Sequence, residues 1–340
     1  MMMWSATWTP LNLSCGVLIT LSAFLLTSPV LAEQDIANTV GADECGECHK
    51  KEVESWRATR HYKTFNELSR TDEAKSIAKK MGLRRLKQES DCVSCHFTQR
   101  EVNGKPKSVS GIACESCHGA AKQWLKVHSD YGGKDVKKEQ ETKAHREDRI
   151  AKIEKAGMIR PEDLYGVANN CYQCHLVPNE KLVNVGGHKA GSPFELVAWS
   201  QGEVRHNYFS SASGEENQPA SADRKRMMFV LGNALELEHS LRAVGKATEK
   251  ADYAVKMAKR VKAATARLKK IGTLIKAPEI DEMVKIGSSA KLSLNNGAEL
   301  NKAADEVGQL ARKFAGNYDG GTFSALDKYL PTQFKGQPHG

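Results

Sequence analysis

Four Cys-x-x-Cys-His pentapeptides run through the first half of the chain: Cys45-Gly46-Glu47-Cys48-His49, Cys92-Val93-Ser94-Cys95-His96, Cys114-Glu115-Ser116-Cys117-His118 and Cys171-Tyr172-Gln173-Cys174-His175. This pentapeptide is the covalent attachment site of haem c. Its two thiols add across the haem vinyl groups, and the adjacent histidine reaches the iron from one face. Eight of the 9 cysteines lie in these motifs, and the ninth, Cys15, precedes them in the leader. A zinc ribbon pairs Cys-x-x-Cys motifs without placing His directly after each. A thioredoxin-like site wants one Cys-x-x-Cys beside a βαβ pattern, which is missing here. A disulfide scaffold predicts scattered, larger spacings. The motifs therefore predict four covalently bound haem c groups, with His49, His96, His118 and His175 each on one face of an iron.

Bacterial haem c attachment occurs outside the cytoplasm, which predicts an export signal. Residues 1–32 read as one: Val17–Leu26 is an apolar core, and Val30-Leu31-Ala32 resembles a small-residue cleavage site. The leader carries no Lys or Arg, and Leu11–Ala32 is long enough for an uncleaved anchor. Pro29 and the shortness of the apolar core favour cleavage, and hence a periplasmic protein.

The remaining length suggests two domains. The low aromatic content, 6%, fits a unit whose porphyrins replace part of the apolar core. Residues 33–217 hold 29 Lys+Arg against 28 Asp+Glu, whereas residues 218–316 hold 19 against 11. Haem propionates would make the first region acidic and leave the second basic. In an exported chain this balance argues against nucleic-acid binding.

Residues 33–217 form the expected haem region. A helical period runs from His61 towards Gly82. A short segment around Gly104-Lys105-Pro106 separates the second and third motifs, suggesting two haems held close. The charged stretch Lys137–Lys155, which contains His145, reads as a solvated helix face. Residues 211–222 read as a linker. Beyond it, apolar residues recur at helical spacing over Met227–Val244, Tyr253–Ile275 and Leu300–Phe314, stopped by Gly245, Pro278 and Gly316. The expectation is a mainly α protein: a multihaem domain with long loops, a three-helix antiparallel bundle over 218–316, and a tail over 317–340. Between Ala254 and Ala277 lie Lys256, Lys259, Arg260, Lys262, Arg267, Lys269, Lys270 and Lys276 with no acid. The bland reading is a solvated face; the sharper ones are docking to the haem domain, an acidic redox partner or an anionic membrane surface.

The sixth position on each iron decides between electron transfer and catalysis. A second imidazole gives a saturated, low-spin centre, whereas an empty site binds small ligands. The glycines around His188, in Gly186-Gly187-His188-Lys189-Ala190-Gly191, let backbone approach a flat cofactor, so His188 is a candidate sixth ligand. His239, beside Glu238, reads as a surface residue, and His339 as part of a disordered terminus.

Gly111-Ile112-Ala113-Cys114-Glu115-Ser116-Cys117-His118-Gly119, Asp91-Cys92-Val93, Ser55-Trp56 and Cys174-His175-Leu176 carry a resemblance. In these motifs, their order and their spacing, roughly residues 40–210 resemble the tetrahaem cytochrome c-554 family. Ala120-Ala121 departs from the family's usual Pro-Gly, and the C-terminal helices have no counterpart in it. The resemblance implies His61 as the distal ligand of the fourth haem, His128 of the first and His206 of the third. For each, the bland alternative is a surface or packing histidine. The family's second haem lacks a distal ligand, which implies an open iron at His96 unless His188 closes it. Two functions follow as expectations: a tetrahaem relay passing single electrons between redox partners, or an enzyme reducing a small nitrogen oxide such as nitric oxide at the second haem.

Overall fold

Short capped helices joined by long loops make up the first half of the chain. The computed structural model describes Met1, Met2, residues 34–88 and residues 90–340. The expected leader lies outside the described residues, apart from its first two. From residue 34 onwards the chain belongs to one compact unit. Its haem region contains α1 (Ala42–Gly46), α2 (Lys50–Ala58), α3 (Arg60–Glu67), α4 (Asp72–Met81), α5 (Ser90–His96), α6 (Cys114–His118), α7 (Lys143–Lys155), α8 (Leu164–His175), α9 (Glu180–Asn184) and α10 (Leu196–Ser200). Side-chain oxygens of Thr59, Thr71, Thr142, Asp163, Asn179 and Glu195 accept from backbone N–H groups in the first turns of α3, α4, α7, α8, α9 and α10. The helical period expected from His61 to Gly82 is thereby broken, because Thr71 caps a new helix. Gly82, at φ 70°, then ends it in the left-handed conformation.

Between the second and third motifs stands an antiparallel hairpin, β1 (Thr98–Val102) and β2 (Lys105–Ser110). Its turn residues Asn103 and Gly104 both have positive φ, 53° and 72°. An Asn-Gly pair suits the two-residue hairpin turn, a signal passed over where the stretch was read only as a short segment between two motifs.

The C-terminal region holds four helices where three were expected: α11 (Ala222–Gly245), α12 (Asp252–Gly272), α13 (Pro278–Ser289) and α14 (Gly297–Asn317). Pro278 was read as a stop. It does end the preceding pattern, but it also occupies the first turn of α13, where its missing N–H would have had no intrahelical partner. Leu231, Leu237 and Leu241 of α11, Met257, Val261 and Leu268 of α12, Ile280 and Met283 of α13, and Ala304, Val307 and Phe314 of α14 form one buried cluster. The same cluster includes Tyr165, Ala168 and Tyr172 of α8 and Leu196 and Val197 of α10. The C-terminal helices thus share their core with the helix that carries the fourth motif.

The segments flanking the bundle are held to the rest. Asn217 is buried and donates to the carbonyls of Arg205 and His339, each at 2.8 Å. His339, expected to be disordered, is fixed through that carbonyl. Phe323 and Leu326 are buried in the bundle core, and Arg226 pairs with Asp327 at 2.7 Å.

Candidate haem-binding site

Each pentapeptide occupies a single helical turn: α1 and the residues after it, the end of α5, α6, and the end of α8. At helical spacing, cysteines three apart share a face, and the histidine one further stands beside them. All eight motif cysteines are free of disulfides.

The motif histidines do not stand alone. Each faces a second histidine from elsewhere in the chain: His49 with His128 at 6.3 Å between ring centres, His96 with His188 at 6.5 Å, His118 with His206 at 6.3 Å, and His175 with His61 at 6.2 Å. Two metal–imidazole bonds of about 2.0 Å, extended to the ring centres, put trans ligands roughly 6 Å apart. Among the described residues, no group of three or more His, Cys, Asp or Glu gathers at metal-binding spacing. Paired imidazoles are the donors a porphyrin iron would require from the chain, since the ring supplies the other four nitrogens, and the two thiols of each motif would tether the ring.

Hydrogen bonds orient these rings. Nδ1 of His118 lies 3.0 Å from the Ile159 carbonyl, that of His188 2.9 Å from the Lys189 carbonyl, and that of His206 2.7 Å from the Val204 carbonyl. His128 approaches the Leu125 carbonyl in the same way, at 2.5 Å. A carbonyl only accepts, so each Nδ1 carries the proton and Nε2 keeps its lone pair for a metal. Nδ1 of His175 instead meets the Ser192 hydroxyl at 3.2 Å. Burial pushes His96 and His175 down to about 4, with His61 adding to both shifts. Burial likewise lowers His61, His118 and His128. These rings are neutral at ordinary pH, as ligation demands.

Backbone geometry explains how the ligands are brought together. A Cβ on Gly111 would fall 1.9 Å from the His61 carbonyl oxygen, and one on Gly119 2.1 Å from that of Gly157. Trp56 donates its indole N–H to the Ile112 carbonyl at 2.8 Å, tying α2 to the third motif. Glu115, buried inside that motif, accepts from the N–H groups of Val40, Gly41 and Ala121 at 2.8–2.9 Å. It fastens the chain before the first motif to the chain after the third. Arg149 donates to the His128 carbonyl at 2.8 Å while its fork grips Glu141 at 2.6 and 2.7 Å. His145 completes that group through Nδ1 at 2.8 Å from Glu141. The segment read as a solvated face therefore has an inward side that holds the His128 loop.

Contacts between motifs follow an order the sequence spacing does not suggest. Glu115, inside the third motif, holds the Val40 and Gly41 N–H groups just before the first, and the Cys174 sulfur of the fourth lies 3.7 Å from the Ser94 carbonyl of the second. The third and fourth motifs meet where Asn170 donates to the Cys117 carbonyl at 3.0 Å. The second and third, expected to be close, are linked through the Thr98 and Ser116 hydroxyls at 2.9 Å.

His239 is not a surface residue. It stacks on Tyr172 at 6.2 Å, and its Nε2 lies 2.8 Å from the Asn169 side-chain oxygen. The partners come from α8, whose packing against α11 no local pattern reveals. Met227, Met228 and Met257 are buried in the bundle.

Four haem c motifs, each with a histidine facing its own, define a multihaem c-type cytochrome. Residues 44–119 match the family model described as cytochrome c554 and c-prime. Cytochrome c-554 of Nitrosomonas europaea is 33% identical over 128 residues, covering 35% of this chain and 54% of that protein. Over these residues the chain is similar to the cytochrome c-554 family, and it spans about half the length of that relative. No solved structure matches.

Proposed function

We propose that the protein is a periplasmic tetrahaem electron carrier whose four irons are each held between two histidines. The observation that carries this reading is the four ring pairs at 6.2–6.5 Å. Cys45 and Cys48, Cys92 and Cys95, Cys114 and Cys117, and Cys171 and Cys174 would bind the haems. His49/His128, His96/His188, His118/His206 and His175/His61 would complete the irons. Haem supplies one-electron chemistry; the chain supplies ligands, spacing and local field.

The contacts between motifs support a relay in the order first, third, fourth, second. Glu115 joins the third motif to the segment before the first, and the Cys174 sulfur, beside the Ser94 carbonyl, joins the fourth to the second. Asn170 bridges the two middle motifs. Exposed lysines of α12, among them Lys259, Lys262 and Lys269, offer one docking face for a redox partner. Among the described residues, no helix is long and apolar enough to cross a membrane. The extracytoplasmic location rests on the chemistry of haem c attachment and the leader.

The alternative, nitric oxide reduction at an open second haem, requires His96 to lack a partner ring. His188 stands in that place, which disfavours it. The test is haem stoichiometry by pyridine haemochrome, together with the spectrum of His188→Ala. The proposal expects four haems per chain, and conversion of one from low to high spin in the variant. A variant spectrum identical to wild type would remove His188 from the ligand set.

A further inference from the structure

If the relay runs first, third, fourth, second, its ends are the His49 and His96 irons, and the chain around these ends differs in charge. Near His49, residues 43–54 carry Asp43, Glu44, Glu47, Glu52 and Glu54 against Lys50 and Lys51. Lys51 is itself paired with Glu215.

Beside His188 stands α4. Gly186 is buried against it: a Cβ there would lie 3.1 Å from Met81 and 3.3 Å from Ile77, and one on Gly187 would lie 3.1 Å from the Lys80 ammonium. Residues 70–88 carry seven bases, Arg70, Lys75, Lys79, Lys80, Arg84, Arg85 and Lys87, against Asp72 and Glu73. Two haem propionates would leave the surplus positive. Lys75, Lys79, Arg84, Arg85 and Lys87 line a recess of about 450 Å³. Among the described residues, only Lys75 of these five has an ion pair, with Asp72 at 3.3 Å. Next to this field Val185 is 53% exposed, with exposed Lys181 and Lys189 flanking it in the chain. A small apolar centre rimmed by cations is the layout of a transient interface that steers by charge and settles by apolar contact.

We propose that this face, formed by α4, residues 83–87 and the Val185–Lys189 loop, is the docking surface for an acidic electron-transfer protein at the second-haem end of the relay. The proposal rests on the tetrahaem reading and selects between two basic faces. The lysines of α12 are as exposed, but α12 meets this end at its first turn, where the Tyr253 N–H donates to Asn184 at 3.0 Å, and Lys262 and Lys269 lie more than two turns further along; α4 instead packs on the loop that carries His188.

The experiment uses the full-length holoprotein and a reduced flavodoxin as the acidic donor, followed by stopped flow at low ionic strength. The triple variant K79E/K80E/R84E is compared with K262E/K269E on α12. The expected result is a fall of about tenfold or more for the first variant, with a flattened salt dependence and unchanged haem spectra, and little change for the second. Loss confined to the α12 variant, or no loss in either, would overturn the proposal. Loss of binding to phosphatidylglycerol vesicles by the triple variant, with donor kinetics unaltered, would assign the face to a membrane and overturn it equally. A pyridine haemochrome count other than four haems per chain marks failure of the tetrahaem reading itself, independently of the kinetics.

Discussion

At residue 111 one backbone oxygen decides what the chain can carry. The His61 carbonyl occupies the space a Cβ would need, 1.9 Å away, so Gly111→Ala must push the α3 backbone aside. We expect a loss of about 3 kcal/mol, with displacement of His61 from the fourth iron. Thermal unfolding and the count of low-spin haems test both. Ser192 acts more gently. Its hydroxyl meets His175 Nδ1 at 3.2 Å, and its carbonyl accepts from the Arg260 guanidinium at 3.1 and 3.2 Å. An imidazole whose N–H is hydrogen-bonded is a stronger donor to iron. Ser192→Ala should therefore raise the potential of one haem by on the order of tens of millivolts, leaving the others in place. A spectroelectrochemical titration with four unchanged midpoints would contradict this. These effects were invisible in the sequence, because glycine at 111 and serine at 192 meet partners 50 and 17 residues away, outside their own elements. The motif cysteines and histidines, by contrast, were legible because their chemistry is written in five consecutive residues.

At the scale of elements, the C-terminal helices are joined to the haem region through α8. Tyr165 donates to the buried Glu238 carboxylate at 2.6 Å, and Glu238 pairs with Arg242 at 2.8 Å. Arg260 pairs with Glu236 at 2.7 Å, the latter almost fully buried. A half-broken buried pair leaves an uncompensated charge, typically costing about 3–5 kcal/mol. Arg260→Ala should accordingly lower the denaturation midpoint markedly and alter the environment of His175, whereas Arg260→Lys should restore part of both. A lowered midpoint with no change in the spectrum of any haem would confine Arg260 to the bundle. The long amphipathic runs announced α11, α12 and α14 because a 3.6-residue period sustained over many turns is unmistakable. The 12-residue α13 went unread because its proline was taken only as a breaker. The hairpin was missed for a related reason: strands of five and six residues carry too little alternation, and only Asn103-Gly104 marked the turn.

For the whole molecule, acid should loosen the His128 side first. Arg149, with His145 adding, holds the Glu141 carboxyl down to about 2 from its ordinary value of 4.5. A depressed folded value means stability present above the unfolded value and lost as pH falls towards the folded one. The Glu141 contribution is thus intact above about pH 4.5 and disappears between there and about pH 2. Glu141→Gln should flatten the stability profile in that window, measurable by denaturation at stepped pH; an unchanged slope would contradict the assignment. The distal histidines show how far the sequence reaches for the molecule as a whole. Family resemblance pointed to His61, His128 and His206, and flanking glycines to His188. The resemblance also named the haem that each of the first three would serve, whereas the order in which the motifs touch emerges only when loops distant in sequence converge.

The central claim is that every iron lies between two imidazoles. The most direct measurement is the electron paramagnetic resonance spectrum of the oxidised holoprotein, integrated against haem content. The account predicts only low-spin ferric signals, summing to all four haems. A high-spin signal integrating to one haem per chain would contradict it.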